Sequence, residues 1–234
     1  FNMRFNSMNI LFSFILLFFF ESCNRKNNRS EEFIFRASML VKENHTWFKA
    51  FIHFGKLIEE RSFGRIKLEV YPSEQLAKEL EAIRLIRSEI IDMTISASSL
   101  TNFAEILTFS DIPFLLKDTI AMQKLINSKI GKMIEYEMIK KIGVRSVAYF
   151  QRGERHLTSN RPIKHPDDLN DLIIRVPNAP SYVVAWKALG AKPTPMAFSE
   201  VFSSLQQGTI EAQENPFAMI KNASFSEVQK YLNL

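Results

Sequence analysis

Arg175 stands inside the run LIIRVP, where Ile173, Ile174 and Val176 mark a buried strand, and Arg155 stands upstream in GERHLTSNRP. A guanidinium keeps its charge at any physiological pH and is rarely buried without a partner. An arginine in an apolar strand therefore faces either a protein carboxylate or the carboxylate or phosphate of a ligand. Glu200 and Glu214 are candidates for the first role. In an open α/β sheet, ligands collect at the carboxyl ends of the strands, and Arg175 lies just before Pro177, at such an end. There it can hold a carboxylate through two parallel charge-assisted bonds.

The segment PTPMAFSEVFSSLQQGTIEAQENP adds two residues of the same character. Phe198 precedes a helix start, where backbone N–H groups favour an anion and an aromatic face closes over apolar ligand atoms; the alternative is a place in the core. Asn215, before Pro216, either donates to a ligand carboxylate or serves a turn. Other chemistry is missing. No two of the seven glycines stand close enough for a dinucleotide or P-loop fingerprint, the four histidines lack metalloprotease spacing, and no serine sits in a G-x-S-x-G elbow. We expect no cofactor and no metal.

The elements that must position these residues alternate between period two and period 3.6. FIFRAS reads as a strand, and Trp47, Phe48, Phe51, Phe54, Leu57 and Ile58 form one helical face running to Gly64. Ile66, Leu68 and Val70 alternate in a second strand; Leu76, Leu80, Ile83 and Ile86 mark a helix; IIDMTIS reads as a buried parallel strand. A loop around Asp111 and Pro113 leads into one long helix over 119–142 closed by Gly143, and VRSVAYF reads as the next strand. Strands follow at HLTS and LIIRVP, then a helix over 181–189, a strand toward Met196, a helix capped by Ser199 and ended by Gly208, and a strand over 209–213. The pattern gives an α/β chain of two lobes with doubly wound sheets, with lobe 1 at 33–152 and lobe 2 at 153–234.

The chain has 234 residues, 46% hydrophobic and 24% charged, which suits one large globular domain or two modest ones. Its net charge of +5 is spread along the length, a weak footprint for nucleic-acid binding. Residues 10–20 are apolar apart from Ser13 and follow Arg4, too short a run to span a membrane. We read 1–23 as a signal peptide of lipoprotein type, with Cys23 as the lipid attachment site, and 24–32 as a polar linker. The alternative is ordinary cleavage, since Phe20 and Glu21 depart from the small residues usual before a lipidated cysteine. Cys23 is the only cysteine, which removes disulfides, thiolate catalysis and cysteine-ligated zinc from the body.

GERHLTSNRP, DLIIRVPNAP, GAKPTPMAFSEV, LQQG and QENP, in this order and spacing, resemble the solute-binding subunits of TRAP transporters, the DctP-like family. The likeness extends upstream to GRIKLEVYPSEQL and IPFLL and covers roughly 33–234. It implies a type II, two-lobed periplasmic-binding-protein-like fold joined by a hinge. It further implies that Arg175 binds a substrate carboxylate, that Arg155 assists, and that Phe198 and Asn215 line the same cleft. Glu79 and Ser96 are the first-lobe contacts the likeness suggests. The expected function is extracytoplasmic capture of a small organic acid, without catalysis, and its delivery to the membrane permease. The alternatives are an exported enzyme using Glu200 or Glu214 as general base, and a ligand-sensing domain.

Three places depart from the family pattern. Glu211-Ala212 replaces Asp-Gly, Ala77 replaces a glycine after S-x-Q-L, and Asn170-Asp171 replaces Lys-Gly before the arginine strand. If those backbones need positive φ, each substitution carries strain of ~1 kcal/mol. Family members also continue beyond EVQKYLNL, so the resemblance implies that lobe 2 is incomplete here and lacks its return segment.

Overall fold

The computed structural model describes residues 32–113 and 115–233. The expected signal segment, Cys23 and all but the last residue of the linker lie outside them. Strand β1 (Phe33–Ser38), helix α1 (Thr46–Arg61), β2 (Ile66–Tyr71), helix α2 (Glu79–Arg87) and β3 (Met93–Thr94) build a parallel sheet of order β2-β1-β3. The chain thus winds one way from β1 to β2 and then passes back over β1 to β3. Helix α1 lays Trp47, Phe48 and Phe51 against Ala37, Met39 and Val41. Its Gly55 passes so near β2 that a Cβ there would lie 3.2 Å from Leu68 Cβ. The helix starts at His45, whose Nδ1 accepts from the Trp47 N–H at 3.1 Å.

The second sheet contains β4 (His156–Ser159), β5 (Ile173–Val176), β6 (Lys192–Pro195), β7 (Ala212–Asn215) and β8 (Tyr231–Asn233), in the order β6-β5-β7-β4-β8. Strand β5 runs parallel to β6 and β7, and β4 runs antiparallel to β7 and β8. With helices connecting the parallel strands and β1 and β5 each flanked on both sides, the architecture is the expected α/β type. Leu172, Ile174, Val176 and Ala212 form the apolar interior of this sheet. Both sheets belong to one unit, Phe33–Leu234.

Several elements differ from the expectation. The long helix is two, α3 (Thr119–Ile126) and α4 (Lys129–Ile142). Ser128 breaks it because its Oγ accepts from the backbone N–H groups of Ile130 and Gly131 and so caps a new helix. A Cβ at Gly131 would fall 2.0 Å from the Ile126 carbonyl oxygen, so the tight junction needs glycine. Gly143, at φ 77°, closes α4 as expected.

VRSVAYF forms no strand, because no described strand runs beside it, and Val147 and Tyr149 are more than half exposed. IIDMTIS contributes only the two residues of β3, half-buried rather than buried. The strand placed at 209–213 lies instead at Ala212–Asn215. Ser199 does not cap helix α5 (Val201–Gln207); its N–H donates to the Glu74 carboxylate at 3.0 Å, and Phe198–Glu200 form a 3-10 turn. Of the three departures from the family pattern, only Asp171 has positive φ, 61°; Ala77 and Ala212 are not left-handed, so the strain suggested there is absent.

Candidate functional site

Each sheet has a point where its winding reverses: between β1 and β3 in the first, between β5 and β7 in the second. Strand ends at such a point splay apart and leave a crevice. Both crevices open on a single cavity of about 730 Å³, reached by Ser96 from beyond β3, Arg175 and Pro177 from the end of β5, and Asn215 from the end of β7. All six residues named from the sequence line it: Glu79, Ser96, Arg155, Arg175, Phe198 and Asn215.

Arg175 is 4% exposed. Its Nε and Nη2 both donate to the Met196 carbonyl oxygen, at 3.1 and 2.7 Å, and no carboxylate among the described residues lies within ion-pair distance. Nη1 donates to no protein acceptor among the described residues. The guanidinium carbon sits 5.9 Å from the Phe198 ring centre, close enough for a cation–π contact. Burial, and then repulsion from Arg155, push the Arg175 pKa down to about 10. The direction is that of a cation poorly compensated by the protein, a cost that a bound anion would relieve.

Arg155 is in the opposite situation. Its Nε and Nη2 grip both carboxylate oxygens of Glu214, and Nη2 also donates to the Glu214 backbone carbonyl at 2.7 Å. Both side chains are largely buried. Burial opposes the Arg155 charge, but Glu214 outweighs it and raises the arginine's pKa. The Tyr182 ring lies 5.3 Å from the guanidinium. The two arginines thus divide the roles left open by the sequence: Arg155 has the protein carboxylate, and Arg175 has none.

Asn215 is held by a relay across buried polar groups. Its Nδ2 donates to Gln213 Oε1 at 2.6 Å, and Gln213 Nε2 donates to Thr158 Oγ1 at 2.8 Å. This fixes the amide plane and leaves Oδ1 and the second N–H of Nδ2 without a protein partner among the described residues. From the first sheet, Ser96 Oγ donates to Glu79 Oε1 at 2.7 Å, and the Ala97 N–H reaches the same oxygen at 3.3 Å. Phe198 packs into the cores of both halves, against Phe225 on one side and the Met39 cluster on the other.

Glu200, one of the two bases considered for an enzyme, is paired with Lys78, whose hydrogen bond holds the carboxyl below its ordinary range. Glu214, the other, is committed to Arg155. Neither is left free to accept a substrate proton. Among the described residues, no cluster of three or more His, Cys, Asp or Glu side chains is placed to hold a metal ion.

Sequence reasoning missed Glu74, which accepts from the Glu79 N–H and from the Ser199 N–H and so joins the two halves beside the cavity. Nothing local marks it, since its partners are set by tertiary packing. Gln213 was also missed. A wholly buried glutamine in the sequence QEN was the available signal, because three consecutive polar residues in a central strand require dedicated partners.

Residues 37–234 match the family model described as bacterial extracellular solute-binding protein, family 7. A solute-binding protein of Roseobacter denitrificans is 44% identical over 204 residues, 87% of this chain and 63% of that protein. The 2,3-diketo-L-gulonate-binding periplasmic protein of Escherichia coli is 38% identical over 185 residues, 77% of this chain and 56% of its own length. The chain therefore spans less than two thirds of these relatives. The fold is similar to the crystal structure of a TRAP periplasmic solute-binding protein from Roseobacter denitrificans with bound L-galactonate. The TM-score is 0.83 at 43% identity, over 86% of this chain and 67% of that one.

Proposed function

Because the chain belongs to bacterial extracellular solute-binding protein family 7, the DctP-like solute-binding proteins of TRAP transporters, we propose that it captures a small organic acid and passes it to a membrane permease. The observation that carries this reading is the buried Arg175 guanidinium, turned to a cavity and lacking a protein carboxylate. The ligand carboxylate takes the free Nη1 edge, Phe198 covers its apolar atoms, and Asn215 supplies a further polar contact. Arg155 acts one step back. Locked to Glu214 in a pair without net charge, it lines the cleft and fixes its wall. Closure of the two lobes, 33–152 and 153–234, expels water and strengthens the charge-assisted bonds. No covalent chemistry occurs.

Similarity to a relative named for binding 2,3-diketo-L-gulonate and to a structure holding L-galactonate supports a carboxylate ligand. Delivery to a TRAP permease places the protein outside the cytoplasm. No helix among the described residues is long and apolar enough to cross a membrane, and a lipid on Cys23 would supply the tether. The test is calorimetric titration of the full-length protein with sugar acids and short dicarboxylates. At least one should bind, and Arg175→Ala should lose roughly 30-fold to several thousand-fold in affinity, the ~2–5 kcal/mol typical of a desolvated charge contact. A loss under about threefold would remove Arg175 from this role.

A further inference from the structure

The charges around Arg175 do not favour a second carboxylate. Arg155 and Glu214 cancel as a bidentate pair. Glu79, Glu74 and Glu200 are the other acidic groups whose fields couple to Arg175, and Glu200 is paired with Lys78. Each Glu74 carboxylate oxygen accepts from a backbone N–H, of Glu79 and of Ser199. Glu79 differs. Ser96 Oγ and the Ala97 N–H both fall on Oε1, while Oε2 accepts from no protein donor among the described residues and the side chain lines the cavity. One free oxygen of an oriented carboxylate is an acceptor only. It suits a ligand hydroxyl and repels a ligand carboxylate.

We infer that Glu79 makes the cavity selective for a polyhydroxylated monocarboxylate, whose acid group lies on Arg175 and whose hydroxyl donates to Glu79 Oε2, and selective against dicarboxylates. This rests on the organic-acid reading above and adds a ligand class to it. Ser96 is a positioning residue: by holding Oε1 it turns Oε2 toward the ligand. Glu79→Gln has a specific consequence. Ser96 and Ala97 both donate, so the amide oxygen takes the Oε1 position and the amide nitrogen faces the ligand. An acceptor becomes a donor, and the preference turns toward a second carboxylate. Arg152, which also lines the cavity and forms no ion pair among the described residues, is the group a second carboxylate would use if the inference fails.

The experiment is titration calorimetry of the full-length protein with L-galactonate, hexanoate and succinate. L-galactonate should bind at least about tenfold tighter than hexanoate, which lacks hydroxyls, or succinate, because a site built to pair a hydroxyl rejects analogues without it. In Glu79→Gln the ratio of galactonate to succinate affinity should fall by about tenfold or more. Succinate binding wild type as tightly as galactonate would overturn the inference, as would an unchanged ratio in a Glu79→Gln protein that melts like wild type. Should that variant not fold, the wild-type preference and the same ratio in Ser96→Ala decide. Failure of the underlying reading looks different: none of the three acids binds, or Arg175→Ala leaves every affinity unchanged. If Glu79 alone is misassigned, Arg175-dependent binding survives, either without the preference for galactonate or with a preference that Glu79→Gln leaves unchanged.

Discussion

Removing the Glu214 carboxylate would leave Arg155 as a second uncompensated cation beside Arg175, which already repels it. Breaking one side of a buried ion pair typically costs about 3–5 kcal/mol, because the remaining charge stays out of water. Glu214→Gln should therefore lower the urea midpoint by a corresponding amount. The double variant Arg155→Met/Glu214→Leu should recover most of the loss. Equal stability of the single variant and wild type would mean that Arg155 reaches water in solution. That Arg175 is a buried charge was legible in the sequence, because it stands among Ile173, Ile174 and Val176. The partner of Arg155 was not, since Glu214 lies 59 residues away and meets it only after β4 and β7 pair.

Helix α1 carries a titratable cap. His45 is buried, its Nδ1 accepts from the Trp47 N–H, and its Nε2 has no partner among the described residues. Desolvation lowers its pKa below the ordinary 6.5. A base with a depressed pKa in the folded state binds protons less readily than in the unfolded chain. Its contribution is therefore present above pH 6.5 and lost as pH falls below that value. Protonation also puts a hydrogen on Nδ1 and abolishes the cap, worth about 1 kcal/mol. The melting temperature should fall between about pH 7.5 and 5, roughly the range in which histidine titrates, and His45→Asn, which caps without titrating, should flatten that fall. An identical pH profile in the variant would dismiss the switch.

At the same scale, Asp171→Gly should stabilise by up to about 1 kcal/mol, because φ is 61° there and its ion pair with Lys192 is exposed; a lower thermal midpoint would contradict this. Elements with strong periodicity, such as α1 and β2, were readable because their burial pattern repeats within one segment. Elements whose existence depends on a neighbour were not. VRSVAYF has the composition of a strand but no described ladder partner, and 119–142 hid a break that rests on one serine hydroxyl.

At the scale of the molecule, the two halves meet through Phe198 and Met219, which pack on the Met39 cluster, through bonds from Asn222 to Lys42 and Asn44, and through polar contacts around the cavity. Asn102 Nδ2 donates to the Asn178 carbonyl at 2.6 Å, Ser181 Oγ donates to Asp111 Oδ2 at 3.0 Å, and Lys78 pairs with Glu200. The Lys78 pair is half exposed on both sides, so it contributes little. Glu74 differs because its carboxylate accepts one backbone N–H from each half, Glu79 from the first and Ser199 from the second. Moving the halves apart must break one of these bonds, whereas releasing Lys78 from Glu200 only exchanges a salt bridge for water. If ligand escape requires that separation, the Glu74 bond adds directly to the barrier for dissociation. A charge-assisted hydrogen bond contributes about 1.5 kcal/mol or more, so Glu74→Ala should speed ligand release roughly tenfold. The association rate should stay nearly constant, because open and closed forms meet the ligand through the same Arg175 edge. Stopped-flow displacement of a bound sugar acid measures both rates. A tenfold effect on association with unchanged release would show that Glu74 shapes the entrance instead of holding the halves together.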